Sequence, residues 1–90
     1  MRIVKLRHVY FLFSYFMVGF VKKVVGTYQE EGRNKGGFGF ITPEDRSKDV
    51  FFHMADLQGL DINEMQPGDA VKFDVIETDR GLKAIAICAA

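Results

Sequence analysis

The most constraining feature of this chain is a pair of short segments in which every second residue carries a ring. Residues 35–41 read KGGFGFI and residues 50–54 read VFFHM. In a β-strand, successive side chains point to opposite faces. If both segments are strands, one face carries the rings and the other face carries Ile41, Val50 and Phe52, as a core requires. The ring-bearing positions of the outward face are Phe38, Phe40, Phe51 and His53.

The outward rings predict a binding surface. Burial is the ordinary reason for a lone phenylalanine, but here the alternate positions already supply the core. Two adjacent antiparallel strands would hold all four rings in one flat patch, and Gly37 and Gly39 add no side chain that could cover it. Unstacked bases bind such platforms, and each stack contributes about 1–3 kcal/mol.

The rest of the chain predicts an all-β fold, a small five-stranded antiparallel barrel. Ninety residues allow one small domain. The polar segment Glu30–Gly36 predicts a hairpin loop, and Ala55–Gln58 predicts one helical turn before a long crossover. The five predicted strands are Val21–Gln29, Gly37–Thr42, Asp49–Met54, Ala70–Glu77 and Leu82–Cys88.

These segments resemble the motifs of the cold-shock domain, an OB-type barrel that binds single-stranded RNA and DNA. Residues 35–41 are similar to the first RNA-binding motif of that family, and residues 50–54 to the second. Residues 67–75 and 80–86 are similar to its last two strands. The likeness extends from about Gly26 to Ile87 and needs one insertion, a second glycine before Phe38.

The resemblance implies roles for the residues around the rings. Met54 would offer a soft apolar surface to a base, and Asp49 would accept a hydrogen bond from a base edge. Arg80 would approach the bound strand, and Lys35 is interpreted as a surface lysine that also raises the local attraction for phosphate. His53 has two interpretations, a ring that stacks on a base or a hydrogen bond to the loop of a neighbouring strand. The implied nucleic-acid-binding set is Lys35, Phe38, Phe40, Asp49, Phe51, His53, Met54 and Arg80.

Strand one departs from the family, which usually has the pattern Gly-x-Val-Lys-Trp-Phe-Asn. Aligned on Gly26, residues 26–32 read GTYQEEG, so Glu30 and Glu31 would replace two stacking rings. Tyr28 is then expected to face the core. The family's aromatic residue in the long crossover corresponds to Ile62. Carboxylates repel a phosphate chain, so this alignment predicts a weakened edge of the platform.

The charge is unevenly distributed along the chain. Residues 26–90 contain all 12 acidic residues and 7 basic ones, a net charge of −5. Neutralisation of phosphates is therefore not expected to dominate binding, and stacking is expected to supply most of the attraction.

The N-terminal segment is apolar, with 13 uncharged residues from Val9 to Val21. A membrane-spanning helix needs about 20 residues, so membrane association is not expected. Residues 1–16 are interpreted as an apolar N-terminal arm or as a leader that precedes the true start at Met17. Residues 17–90 then form a cold-shock-like domain, and the arm offers a route to oligomers.

No pattern in the sequence predicts catalysis, a metal site or a cofactor, since no nucleophile, base and orienting group occur together. The single cysteine, Cys88, cannot form an internal disulfide and suits a reducing, cytoplasmic compartment. Two functions remain open. The first is binding of single-stranded nucleic acid that keeps RNA unpaired. The second is a protein-interaction or accessory module with weak or no nucleic-acid binding, which the acidic charge and the altered strand one favour.

Overall fold

The computed structural model is an all-β molecule whose main body is a closed barrel of five strands. It describes residues 17–90 and, as backbone strands, residues 2–6 and 9–13. A short 3-10 helix, Met54–Asp56, follows the third barrel strand. The strands are β1 (Arg2–Leu6), β2 (Val9–Phe13), β3 (Met17–Val25), β4 (Tyr28–Glu30), β5 (Arg33–Lys35), β6 (Phe38–Pro43), β7 (Val50–His53), β8 (Ala70–Thr78) and β9 (Gly81–Ala89).

The barrel closes in the order β3-β6-β7-β9-β8 and confirms the predicted five-stranded architecture. Its pairings are antiparallel except for β7 with β9, which run parallel with Phe51 opposite Lys83. The expected antiparallel arrangement holds for four of the five pairings, and the pairing of β7 with β9 is the exception. A closed ring with an odd number of strands cannot alternate direction throughout, so one parallel pair is a geometric necessity.

The predicted alternation along β6 and β7 is confirmed. In β6 and β7, buried and half-buried residues alternate without exception. Ile62 and Met65 reach the core from the crossover between β7 and β8 and close one part of it. Burial of these side chains is the main stabilising contribution, at about 25 cal/mol per Å² of apolar surface. The buried hydrophobic residues are Val21, Ile41, Val50, Phe52, Ile62, Met65, Val71, Phe73, Ala84 and Ile87.

Gly39 lets β3 and β6 approach each other beneath the rings. A Cβ atom at this position would lie 2.3 Å from the Lys23 carbonyl oxygen and 2.7 Å from the Phe52 ring. No larger residue fits there without displacing backbone, which explains why a glycine separates Phe38 from Phe40.

Strand one differs from its prediction. The expected strand was Val21–Gln29, but β3 begins at Met17 and ends at Val25. Its first residues pair with β8, with Met17 opposite Phe73, so the end of the uncharged run is a barrel strand. The expected polar loop contains β5 and the last residue of β4, and these two strands form a small sheet of their own. The first and last residues of β3 are determined by its pairing with β6 and β8. The composition of the segment does not predict this pairing.

The N-terminal strands β1 and β2 form a separate two-stranded sheet, with Val4 opposite Phe11. The side chains of residues 1–16 lie outside the described residues. The interpretation of this segment as an arm or a leader stays a prediction. Among the described residues, no helix is long and apolar enough to cross a membrane.

Candidate nucleic-acid interface

The four predicted rings lie together on the outer face of β6 and β7. Phe38 is opposite His53 and Phe40 is opposite Phe51, and all four side chains are half-buried. The Phe38 and Phe51 ring centroids are 6.0 Å apart with planes at 33°, and those of Phe40 and Phe51 are 5.8 Å apart at 68°. We call these four residues the aromatic platform.

Strand β3 extends the platform by one residue in each row. Lys23 lies opposite Phe40, and Val25 lies opposite Phe38. Cross-strand partners in a sheet share a face, so Lys23 belongs to the surface that carries the rings. A bulge between Val21 and Lys23 sets this register.

The register of β3 shows that the alignment on Gly26 is wrong. Residues 19–22 read GFVK and match the start of the family pattern Gly-x-Val-Lys. A Cβ atom on Gly19 would lie 2.6 Å from the Thr42 carbonyl oxygen, so the strand requires a glycine there. Lys23 and Val24 therefore occupy the positions of the family's aromatic pair. This four-letter match is visible in the sequence, but its first three residues belong to the uncharged N-terminal run, which hides it.

Four residues lie elsewhere than the sequence predicted. Glu30 and Glu31 belong to the β4–β5 hairpin and lie outside the barrel strands. Tyr28 does not face the core and is 49% exposed, because β3 ends at Val25 before the chain reaches it. Ile62 is 5% exposed and packs in the core, so its side chain is not part of the outer surface.

His53 combines a structural contact with its place on the platform. Its Nδ1 atom accepts a hydrogen bond from the backbone N–H of Ala55 at 3.1 Å, which caps the 3-10 helix. The structural partner is therefore the helix that follows β7, not a neighbouring loop. This bond orients the imidazole ring beside Phe38, and Met54 follows with 43% of its surface exposed.

Asp49 is engaged by two side chains near the edge of the platform. Its Oδ2 atom accepts from Lys22 Nζ at 2.6 Å, and its Oδ1 atom accepts from the Thr42 hydroxyl at 3.0 Å. The hydrogen bond from Lys22, helped by the one from Thr42, lowers the pKa of Asp49 below its ordinary value. Asp49 lines a groove together with Lys22, Lys23 and Phe40.

Arg80 is brought to the opposite side of the platform. A groove of about 400 Å³ runs beside Phe40 and Phe51, and Arg80 and Lys83 line it from β9 and the turn before it. Lys83 Nζ is 3.0 Å from an Asp56 carboxylate oxygen. The parallel pairing of β7 with β9 places Lys83 in the same row as Phe51 and Phe40.

Lys35 lies in the small β4–β5 sheet, apart from the barrel. It is in β5 opposite Tyr28, and its Nζ atom is 3.8 Å from a Glu30 carboxylate oxygen. Within residues 17–90, no group of three or more histidine, cysteine or acidic side chains is placed to hold a metal ion.

Comparison with known proteins identifies the family. The matching family model is the 'Cold-shock' DNA-binding domain, and the match covers residues 19–90. The major cold shock protein of Micrococcus luteus is 43% identical over 60 residues, which are 67% of this chain and 88% of that protein. A cold shock-like protein of Aquifex aeolicus is 42% identical over 59 residues, which are 66% of this chain and 83% of that protein.

A solved structure is also similar to this chain. The chain is similar to drosophila Unr CSD456 with a TM-score of 0.55 and 26% identity, covering 83% of this chain and 26% of that longer one. The family match begins at Gly19, the glycine that opens the reassigned motif of β3. The chain therefore belongs to the cold-shock domain family of nucleic-acid-binding domains.

Proposed function

We propose that this protein binds single-stranded RNA or DNA by stacking bases on the aromatic platform, and that it thereby keeps RNA unpaired. The observation that carries the proposal is the common outward face of Phe38, Phe40, Phe51 and His53, with ring centroids about 6 Å apart. The core is complete without these four rings. Their half-exposed faces are therefore free to meet a ligand.

Stacking accounts for both affinity and breadth of recognition. Every base has a flat π-face, so a ring accepts any base, and each stack contributes about 1–3 kcal/mol. A base that is stacked on the protein cannot pair with another base. Binding to single strands then melts RNA hairpins by mass action, as any ligand shifts an equilibrium towards the state that it binds.

Charge plays a supporting part in this proposal. Lys23 and Arg80 flank the rings from opposite sides, while Lys22 and Lys83 are already paired with Asp49 and Asp56. We expect one to three phosphate contacts. For single strands, the slope of log affinity against log salt is about −0.7 per contact, so a slope steeper than about −4 would contradict the proposal.

The second candidate function is a protein-interaction module. Lys23 and Val24 occupy the positions of the family's aromatic pair, and residues 26–90 are acidic. Both features would weaken binding to nucleic acid. Under this alternative, the platform rings would contact a protein partner, and oligonucleotides would bind weakly or not at all.

The distinguishing experiment has two parts. Fluorescence anisotropy with a labelled pyrimidine-rich oligonucleotide measures binding to the full chain, with the matching duplex as control. An RNA hairpin that carries a fluorophore and a quencher at its ends reports unpairing. We expect saturable binding to the single strand, weaker binding to the duplex and opening of the RNA hairpin. No binding, or equally weak binding of the single strand and the duplex, would favour the protein-interaction module.

A further inference from the structure

The β4–β5 hairpin is an addition to the family pattern. The alignment on Gly26 needs only one inserted residue, but the β3 motif begins at Gly19, seven positions earlier. The difference leaves an extra segment between β3 and β6, and this segment folds as β4 and β5. It leads through Gly36 and Gly37 directly into Phe38.

The hairpin has regular geometry. Glu31 and Gly32 have φ values of 53° and 75°, as the two-residue turns that suit β-hairpins require. Tyr28 pairs with Lys35 and Glu30 pairs with Arg33. Cross-strand partners and alternate residues share a face, so one face carries an aromatic ring, two cations and one acid. The other face carries Gln29 and Asn34, whose side-chain amides are hydrogen-bonded at 3.3 Å.

The base of the hairpin is fixed to the barrel. The side chain of Asn63, in the crossover, accepts from the Thr27 backbone N–H at 2.9 Å and donates to the Thr27 hydroxyl at 3.0 Å. A Cβ atom on Gly36 would lie 2.0 Å from the Gly26 carbonyl oxygen, so the two backbone segments are in contact at the neck of the hairpin. The Gly37 N–H also donates to the Val25 carbonyl oxygen at 2.8 Å. These contacts hold the hairpin in a defined place beside the platform.

A groove of about 500 Å³ lies between the residue that follows the platform and the neck of the hairpin. Met54, directly after His53, lines it together with Leu57 and Leu60, and Thr27 and Asn63 line it at the neck. Its lining also includes one acid, Asp61. A strand that leaves the platform past His53 and enters this groove would reach the neck of the hairpin at Thr27.

We propose that the hairpin is a second contact element for the same single strand, with Tyr28 stacking on a base beyond the platform and Arg33 contacting a phosphate. This inference rests on the proposed function. All six residues of β4 and β5 are exposed, and Tyr28 is among the most exposed large hydrophobic side chains of residues 17–90. The hairpin face that carries Tyr28 also carries two cations, Arg33 and Lys35, and one acid, Glu30. A ring beside cations suits a single-stranded nucleic acid, because bases stack on the ring and phosphates meet the cations.

The test is the dependence of affinity on oligonucleotide length. The full-length chain and its Tyr28→Ala variant are titrated with labelled oligothymidylates of about 4, 7 and 12 nucleotides, within the range of sites for OB-type folds. We expect the substitution to weaken binding of the longest oligonucleotide by at least about fivefold, the lower limit for one stack. Binding of the shortest one should change by less than about twofold, since the platform alone can hold it.

Three further variants separate the explanations. Tyr28→Phe keeps the ring and should restore long-strand affinity. Gln29→Ala changes the other face of the hairpin, where the side chain is hydrogen-bonded to Asn34, and should leave the length dependence unchanged. Asn63→Ala frees the neck of the hairpin without altering β4 or β5, and should lower the affinity for the longest oligonucleotide alone.

Each outcome has one interpretation. Equal length dependence for wild type and Tyr28→Ala, with binding intact, would overturn the hairpin inference and leave the proposed function standing. Absence of binding at every length would overturn both. A third outcome is that Tyr28→Ala binds all oligonucleotides normally but no longer retains a protein ligand in a pull-down. This result would assign the hairpin to a protein partner and would also overturn the inference.

Discussion

Lys23 lies directly opposite Phe40 across the β3–β6 pair, on the same face as the platform rings. The family pattern places an aromatic residue at this position. One edge of the platform is therefore cationic where that pattern has a ring. A lysine at this position offers a phosphate an electrostatic attraction, which salt screens, whereas a ring would offer a stacking interaction, which salt does not screen.

Restoring a ring at this position should strengthen binding. Lys23→Trp is expected to tighten oligonucleotide binding by about 1–3 kcal/mol, the value of one stack. It should also make the salt slope shallower by about 0.7, because one phosphate contact is lost. Anisotropy titrations at two salt concentrations measure both effects.

Lys23→Gln is the matched control for this prediction. It removes the same charge without adding a ring, so it should weaken binding at low salt and change little at high salt. Identical behaviour of the Trp and Gln variants would show that no base reaches this edge. Glu30→Trp with Glu31→Phe, the pair that the Gly26 alignment would favour, should not tighten binding of the shortest strands.

The ion pair of Lys22 with Asp49 predicts a small acid sensitivity of stability. The pKa of Asp49 is lower in the folded protein than its ordinary value of 3.8, first because of the hydrogen bond from Lys22. A group with a lowered folded pKa stabilises the fold above its ordinary value, and this contribution is lost as the pH falls through the folded pKa. The difference in Tm between wild type and Asp49→Asn should therefore shrink below about pH 4.

A second carboxylate provides the control for this pH dependence. Hydrogen bonds from Ser47 lower the pKa of Asp45, which is also at the surface. Asp45→Asn should remove the pH dependence of stability that Asp45 contributes, and the pH dependence contributed by Asp49 should remain. A constant difference between wild type and Asp49→Asn from neutral pH to below about pH 3 would contradict the assignment.

Arg46 adopts a backbone conformation that favours glycine. Its φ is 60°, in the turn where its N–H donates to the Pro43 carbonyl oxygen at 2.9 Å. The left-handed region costs a residue with a Cβ atom about 1–2 kcal/mol, which the greater chain entropy of glycine partly offsets. Arg46→Gly should therefore raise the free energy of unfolding by about 0.5–1 kcal/mol.

Thermal unfolding followed by circular dichroism measures this effect, at about 4–8 °C of Tm for each kcal/mol in a domain of this size. Arg46→Ala serves as the control, since alanine keeps the Cβ atom and the strained φ. If Arg46→Ala raises the Tm as much as Arg46→Gly does, the stabilisation comes from loss of the charge and not from relief of backbone strain.

Residues 1–16 are expected to be dispensable for the barrel. Strands β1 and β2 form a sheet separate from the barrel sheet. Removal of residues 1–16 should leave the Tm nearly unchanged and improve solubility, since exposed apolar strands promote association. A large loss of stability, or conversion of an oligomer into a monomer, would show that the segment packs against the domain or joins two copies of it.

The platform could be predicted from the sequence because its signal is local. The period-2 pattern of β6 and β7 assigns each ring to a face without knowledge of any partner strand. Gly39 strengthens that signal, since only a residue without Cβ fits between Lys23 and Phe52. The adjacency of the two strands followed from the short connection between them.

The rest of the candidate site depends on contacts between distant segments. The position of Lys23 follows from the bulge in β3 and from its pairing with β6. The place of Lys83 follows from the parallel pairing of β7 with β9. Neither pairing has a signature in its own strand. The strands of the hairpin could not be predicted for a related reason. Their polar residues are as typical of a loop as of two short exposed strands.

The central claim is that bases stack on the rings of β6 and β7, and alanine substitution of those rings tests it most directly. Anisotropy titrations of the full chain with one short pyrimidine-rich oligonucleotide compare wild type, Phe38→Ala and Phe51→Ala, with circular dichroism to verify that each variant is folded. We expect each substitution to weaken binding by about 1–3 kcal/mol, with a salt slope close to that of wild type. Affinity equal to wild type in both folded variants would contradict the account.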